Sequence, residues 1–276
     1  MKISLPFILS VLIVGIIWIS YIFLFITAVV PSIDPIIAEP VMSDIVAALA
    51  PYIMLFGVGL VIMLIISLLI QAFFTAGAIG MAKDVAANGR TSYEEMFNSG
   101  KTHFLNYFLL QVLVYLIILA GIIFLIPGIL QIGDLTNLDA IMQSLLALGV
   151  GFALWIVYSI IISIILAVTY YALVVDNLGP IQAIKAGYRF FLNNKAAVAI
   201  LWLITIVVAV TPNVIGMLFT PFEYLSIIWS VVSAVLSIVV LPAVFTLWWT
   251  FLYMGKTGRD VRDPKRPDYL ELGPVE

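Results

Sequence analysis

The chain has 276 residues, of which 64% are hydrophobic and only 10% charged, with a formal net charge of -3. Soluble domains carry roughly 25% charged residues because water must solvate their surface, so this composition excludes a soluble globular enzyme, a disordered chain and a nucleic-acid binder with a dominant basic face. It specifies a multipass membrane protein, and the absence of cysteine removes disulfides, thiolate metal sites and cysteine nucleophiles.

Six apolar runs, near residues 5–30, 52–81, 104–131, 142–175, 196–219 and 225–254, each provide the ~20 residues a helix needs to cross a ~30 Å hydrocarbon core. Stretches such as Leu60 to Ile70 and Ile160 to Val168 lack the alternation of a membrane strand, and only a helix satisfies its own backbone in lipid. The fold class is therefore an all-α integral membrane protein. No gap between runs holds a separate domain, so residues 1–254 form one six-helix membrane domain and 255–276 a cytoplasmic tail.

The first run follows Lys2 and extends from Leu5 to Val30, longer than the ~7 to 15 residues of a signal-peptide core, and reads as a retained span. The second ends in small residues, among them Ala76, Gly77 and Gly80, which suit close helix packing in lipid rather than a nucleotide loop. Its connector to the third run carries Glu94 and Glu95, helical neighbours about 100° apart that cannot act as a catalytic pair. His103, the single histidine, stands at the start of the third run and reads as an interfacial, snorkelling side chain rather than a metal ligand. Within the runs the polar residues are Gln71, Gln111, Tyr115, Tyr158, Tyr170, Tyr171 and scattered Ser and Thr, of which Ser159, Ser163, Thr169, Ser233 and Ser237 either line a groove or bond back to their own helices. Odd runs are expected to end at Pro31, Pro127 and Pro212, even ones at Met81 to Lys83 and Met254 to Lys256, and Pro242 is expected to kink the sixth helix and orphan the Ile238 carbonyl.

Orientation follows from charge. All 12 Lys and Arg fall on one side of a six-span model, while Asp34, Glu39, Asp44, Asp134, Asp139 and Glu223 occupy the opposite loops. Basic residues stay cytoplasmic during insertion, which places both termini in the cytoplasm of a cell membrane protein.

The connectors entering runs three and five share G-x-x-x-F-L-N, at Gly100, Phe104, Leu105 and Asn106 and again at Gly187, Phe191, Leu192 and Asn193. Upstream apolar residues at three- and four-residue steps make 92–103 and 180–192 candidate amphipathic connector helices on the membrane surface. Three tandem hairpins, near 1–90, 91–178 and 179–254, follow as the expected organisation.

The connector segments Gly89 to Phe97 and Gly179 to Lys195 resemble those of prokaryotic multipass proteins related to the membrane domain of glycerophosphodiester phosphodiesterases. The resemblance implies a non-catalytic membrane domain and supplies no catalytic residue. With no ionisable group in the middle of any run, the sequence predicts a non-enzymatic protein, without metal or cofactor, that is lipid-associated or scaffolding at its cytoplasmic face. Lys101, Lys185, Arg189 and Lys195 are the expected contacts for anionic headgroups, Arg189 foremost because a guanidinium holds a phosphate through paired hydrogen bonds. Membrane lipids are the expected partners, and a membrane-protein partner or homo-oligomer is compatible with the sequence. The alternative is a transporter or channel for a small or hydrophobic solute.

Overall fold

The computed structural model describes residues 2–37, 42–131 and 138–259, with side chains described over 2–29, 52–131 and 141–259. The tail from Asp260 onward, Glu39 and Asp134, and the side chains of Asp34, Asp44 and Asp139, which figure in the sequence reading, lie outside the described residues.

Every described element is helical: a short turn at Lys2–Ser4, then α1 (Leu5–Ile37), α2 (Met42–Asn88), α3 (Tyr93–Leu119), a 3-10 segment (Ala120–Leu125), α4 (Ile126–Leu130), α5 (Leu138–Leu166), α6 (Thr169–Val175), α7 (Pro180–Asn193), α8 (Lys195–Phe219), α9 (Glu223–Val235), a π turn (Leu236–Val240) and α10 (Leu241–Lys256). Six stretches among them are long and apolar enough to span a membrane: Lys2–Val29, Tyr52–Asn88, Tyr93–Leu130, Ile141–Val175, Lys195–Phe219 and Glu223–Lys256. The chain is thus an all-helical multipass membrane protein.

Local chemistry explains where the helices stop, and it moves several expected boundaries. Helix α2 does not end at Lys83 but continues to Asn88, where Gly89 takes φ 72° and its N–H donates to the Val85 carbonyl at 2.9 Å. This left-handed stop is one that glycine adopts freely. Ser92 then accepts from the Glu95 N–H and caps α3, with Glu94 and Glu95 in the first turn beside the positive end of the helix. From there α3 runs unbroken to Leu119, so the segment 92–103 is the first part of a span and not a separate connector helix. Its counterpart α7 is separate, because Asn194 leaves helical geometry at φ -134°. Tyr107 holds the equivalent place in the first copy, inside an uninterrupted helix.

The prolines do not end their helices as expected. Helix α1 continues past Pro31 and α8 past Pro212, as suits a segment in lipid, where leaving helical geometry would free more backbone groups than one proline does. Pro242 does disturb the last span: a π turn precedes it, in which the Leu241 N–H donates to the Leu236 carbonyl. The fourth span breaks at Ala167 and Val168, between α5 and α6, a feature no proline signals.

Packing is uneven along the bundle. No more than 22% of the most apolar stretch of any span is buried, and 6% in three of them. The buried side chains concentrate at one end, in Ala72 to Ala86, Met96 to Val114, Leu166 to Val175, Ala183 to Val198 and Ala243 to Met254. This connector end also joins distant parts of the chain: Lys2 Nζ donates to the Thr91 carbonyl (3.1 Å), Lys83 Nζ to the Val175 carbonyl (2.9 Å) and Tyr253 Oη to Asp176 (2.6 Å).

Toward the far end the spans touch mainly in successive pairs. Each pair carries aromatic donors bonded to the neighbouring helix: Trp18 to Ser67 Oγ and Tyr21 to the Phe56 carbonyl, Trp155 and Tyr158 to the Ile118 and Ile117 carbonyls, and Trp229 to the Pro212 carbonyl. The Ile117 and Ile118 acceptors lie where α3 tightens toward the 3-10 segment, where helical partners are displaced. Tyr158→Phe deletes a 2.7 Å bond of this kind and is expected to lower stability by about 1 kcal/mol. Steric-trapping measurements in bicelles would show it, and an unchanged value would mean that the bond does not hold the pair.

Candidate functional site at the connector end

The connector end rests on the contact between α2 and α3. Ala76, Gly77 and Gly80 are buried there. A Cβ on Gly77 would stand 2.6 Å from the Met96 carbonyl oxygen, and one on Gly80 would overlap Ser99. This approach is close enough for Ser99 Oγ to donate across the interface to the Ala76 carbonyl at 3.1 Å.

Ser99 opens a row that the residue-by-residue reading did not join. Ser99, His103, Tyr107, Gln111 and Tyr115 follow one another at four-residue steps along α3, and the first four are buried. Such a ridge drifts around the helix, facing α2 at Ser99 and α6 at Tyr107, whose ring lies 5.1 Å from that of Tyr170. It emerges at Tyr115, which accepts from Gln111 Nε2 at 3.1 Å. His103 is not a snorkelling side chain. It is 9% exposed, and its Nδ1 lies 2.9 Å from the Ser99 carbonyl. A carbonyl only accepts, so the proton is on Nδ1, and Nε2 is left without a protein partner. Gln111 Oε1 and Thr169 Oγ1 are likewise buried without one. No described group of three or more His, Cys, Asp or Glu residues forms a metal-binding cluster.

Asp176, which the sequence reading passed over, fastens the end of α6 to the end of α10. It accepts from Tyr253 Oη at 2.6 Å and from Arg259 at 2.7 Å, the one ion pair among the described residues. Its place between the apolar end of α6 and the turn Asn177 to Pro180 was the signal available, since a carboxylate there must find a donor or water.

Helix α7 presents three distinct faces when its residues are set 100° apart. Ala183, Gly187 and Phe190 are buried against the bundle, with a Cβ on Gly187 placed 2.9 Å from Thr169 Cα and the Phe190 ring 5.2 Å from Tyr253. Gly100, the equivalent glycine in α3, is in similar contact with Phe73 of α2. Both glycines of the shared motif therefore sit where a helix touches the preceding span. Ile181, Tyr188 and Leu192 form an exposed apolar face, and Lys185 and Arg189 stand beside it, also exposed.

Lys195 is exposed at the first turn of α8. Lys101 lies apart from this group, in a surface depression of α3 lined also by Glu94 and Glu95. Of the hydroxyls considered for a polar groove, Ser163 and Ser233 bond back to their own helices. That leaves them no free proton to present to a solute.

A family model matches residues 37–254, from the end of α1 almost to the end of α10. The chain belongs to that family, described as Domain of unknown function (DUF7847). The description assigns no activity and does not link the family to glycerophosphodiester phosphodiesterase membrane domains. No curated protein and no solved structure matches the chain.

The α2–α3 contact makes a graded expectation. Gly80→Ala should cost about 1–3 kcal/mol by overpacking and be partly relieved by Ser99→Gly, because its obstruction is a side chain. Gly77→Ala meets main chain at Met96, so Met96→Ala should not relieve it. Unfolding of the four variants in detergent decides, and equal rescue at both positions would contradict this geometry.

Proposed function

We propose that this protein is a non-enzymatic component of the cell membrane, with both termini cytoplasmic, that associates with lipid at its cytoplasmic face. The observation that carries the reading is α7. Its buried face fixes it to the bundle, while its exposed apolar face adjoins exposed Lys185 and Arg189. That ordering suits a helix at a membrane surface, with apolar side chains at the acyl boundary and cations among phosphates. The contacts of Lys2, Lys83 and Arg259 gather basic residues from three parts of the chain at the same end, which supports reading the connector end as cytoplasmic.

We further infer three tandem hairpins, near 1–90, 91–178 and 179–254, with the start of α3 and α7 at equivalent positions. The matched settings of Gly100 and Gly187, each against the preceding span, support this organisation, as do the aromatic bonds within successive helix pairs. The buried row on α3 is the observation that favours the alternative, a transporter or channel. Its emergence at Tyr115, 44% exposed on the apolar surface, leads toward lipid, which weighs against a continuous aqueous path.

Two measurements test the reading. The chain has no native cysteine, so Asp139→Cys should react with an impermeant maleimide in intact cells while tags at residues 1 and 276 stay protected. Reversed labelling removes the cytoplasmic assignment. Lys185→Gln with Arg189→Gln should reduce co-purified anionic lipid in native mass spectra without altering thermal stability, since both side chains are exposed. Unchanged lipid would leave those residues only their role in setting topology.

A further inference from the structure

Between α8 and α10 the surface forms an apolar groove of about 460 Å³, lined by Ala197, Ile200, Leu201 and Ile204 on one side and Trp248 and Leu252 on the other. Its volume lies within the ~300–1,000 Å³ typical of ligand sites. Ala197 opens the hollow, while the bulkier Ile200, Leu201, Ile204 and Leu252 keep a neighbouring helix from approaching closely. Close helix contacts in lipid are enriched in small residues, and Ala197 is the single small side chain on this lining. A flexible chain can fill such a hollow where a helix cannot, and an unfilled hollow would forfeit dispersion contacts along its lining.

One end of the groove is charged. Lys195 begins α8 two residues before Ala197, and Lys256 ends α10 four residues after Leu252 on the same helical ridge as Trp248 and Leu252. The two helices run in opposite directions, so both lysines stand at the connector end. Both are exposed, and neither takes part in an ion pair among the described residues. Apolar walls leading to two cations match an acyl chain leading to a phosphate.

We propose that the α8–α10 groove is a specific site for an anionic phospholipid of the leaflet at the connector end. One acyl chain lies between Ala197 and Trp248, and the phosphate meets Lys195 and Lys256. The proposal rests on the lipid-associated reading above and names its ligand and place, while using residues distinct from the α7 pair.

The experiment is native mass spectrometry of the full chain titrated with phosphatidylglycerol or phosphatidylcholine. Lys195→Gln with Lys256→Gln should weaken binding of the first phosphatidylglycerol roughly thirtyfold, at about 1 kcal/mol for each lysine. Ala197→Trp, which fills the hollow, should abolish that first binding event, and Lys185→Gln with Arg189→Gln should leave it in place while reducing later ones. Should Ala197→Trp fail to fold, Ile204→Trp replaces it. In folded wild type, quenching of tryptophan emission by brominated phosphatidylglycerol should also fall in Trp248→Phe.

Several results would overturn the groove: unchanged binding by the filled variant, equal affinity for phosphatidylcholine, quenching unaffected by Trp248→Phe, or a dimer in place of bound lipid. Loss of anionic lipid only in the α7 variant would sink the groove and leave the surface reading standing. Loss in none of the variants would sink both.

Discussion

The close approach of α2 and α3 is the contact from which the rest of the connector end follows. Lipid is as apolar as a leucine side chain, so burying hydrocarbon gives these helices little reason to associate, and interhelical van der Waals contact and hydrogen bonds must hold them instead. Gly77 and Gly80 bring the two backbones within reach of each other, and Ser99 can bond to the Ala76 carbonyl only because of that proximity. With α3 seated, Met96 and Met81 close over Ala82 and Ala243, drawing α10 into the same core. Ser99 is buried by the same act, and so the polar row on α3 begins as a consequence of tight packing rather than in spite of it.

The far end obeys a different economy. There the spans separate into successive pairs, and their cohesion comes from aromatic N–H and O–H groups aimed at main-chain carbonyls. Trp155 and Tyr158 bond where α3 tightens toward the 3-10 segment, whereas Trp229 meets the Pro212 carbonyl within α8 and Tyr21 the Phe56 carbonyl within α2. An irregular helix in lipid exposes a carbonyl that water cannot reach, and a Trp or Tyr one helix away is long enough to meet it. The aromatic residues that composition alone would assign to interfacial belts are thus partly structural: Trp155, Tyr158 and Trp229 join helices. Gly121 and Gly151 serve the same pairing by leaving room for Trp155 and for the Phe124 carbonyl.

Much of the architecture was legible because hydrophobic run length maps directly onto span length: six runs became six spanning stretches. The small-residue run 76–80 was also readable, since close packing in lipid selects small side chains. The helix boundaries were less so. Proline suggested ends at Pro31 and Pro212, yet a membrane helix keeps its hydrogen bonds when it can. The break at Ala167 and Val168 carries no compositional mark. For the site, G-x-x-x-F-L-N pointed to two glycines that do contact preceding spans, but it gave no hint that Asn194 would separate α7 from α8 while α3 runs through. His103 was misjudged because a lone histidine at a span boundary is ambiguous from sequence. Its four-residue spacing from Ser99, Tyr107 and Gln111 was the clue to burial.

Rigidity and charge coincide in this molecule. The end that packs tightly is the end that carries the described Lys and Arg residues, and α7 is held there from several directions, by Thr169 against Gly187, by Tyr253 against Phe190, and by Asp176 tying α6 to α10. Cations on a mobile loop would lose conformational entropy each time they engaged a phosphate. Cations on a braced helix have lost much of it during folding, so their spacing is set before any headgroup arrives. The far end gives no comparable platform, because its spans touch mainly in successive pairs and bury few side chains. On the proposed reading, a protein that holds lipid at one face needs no more than this division: one fixed face, and spans long enough to keep it at depth.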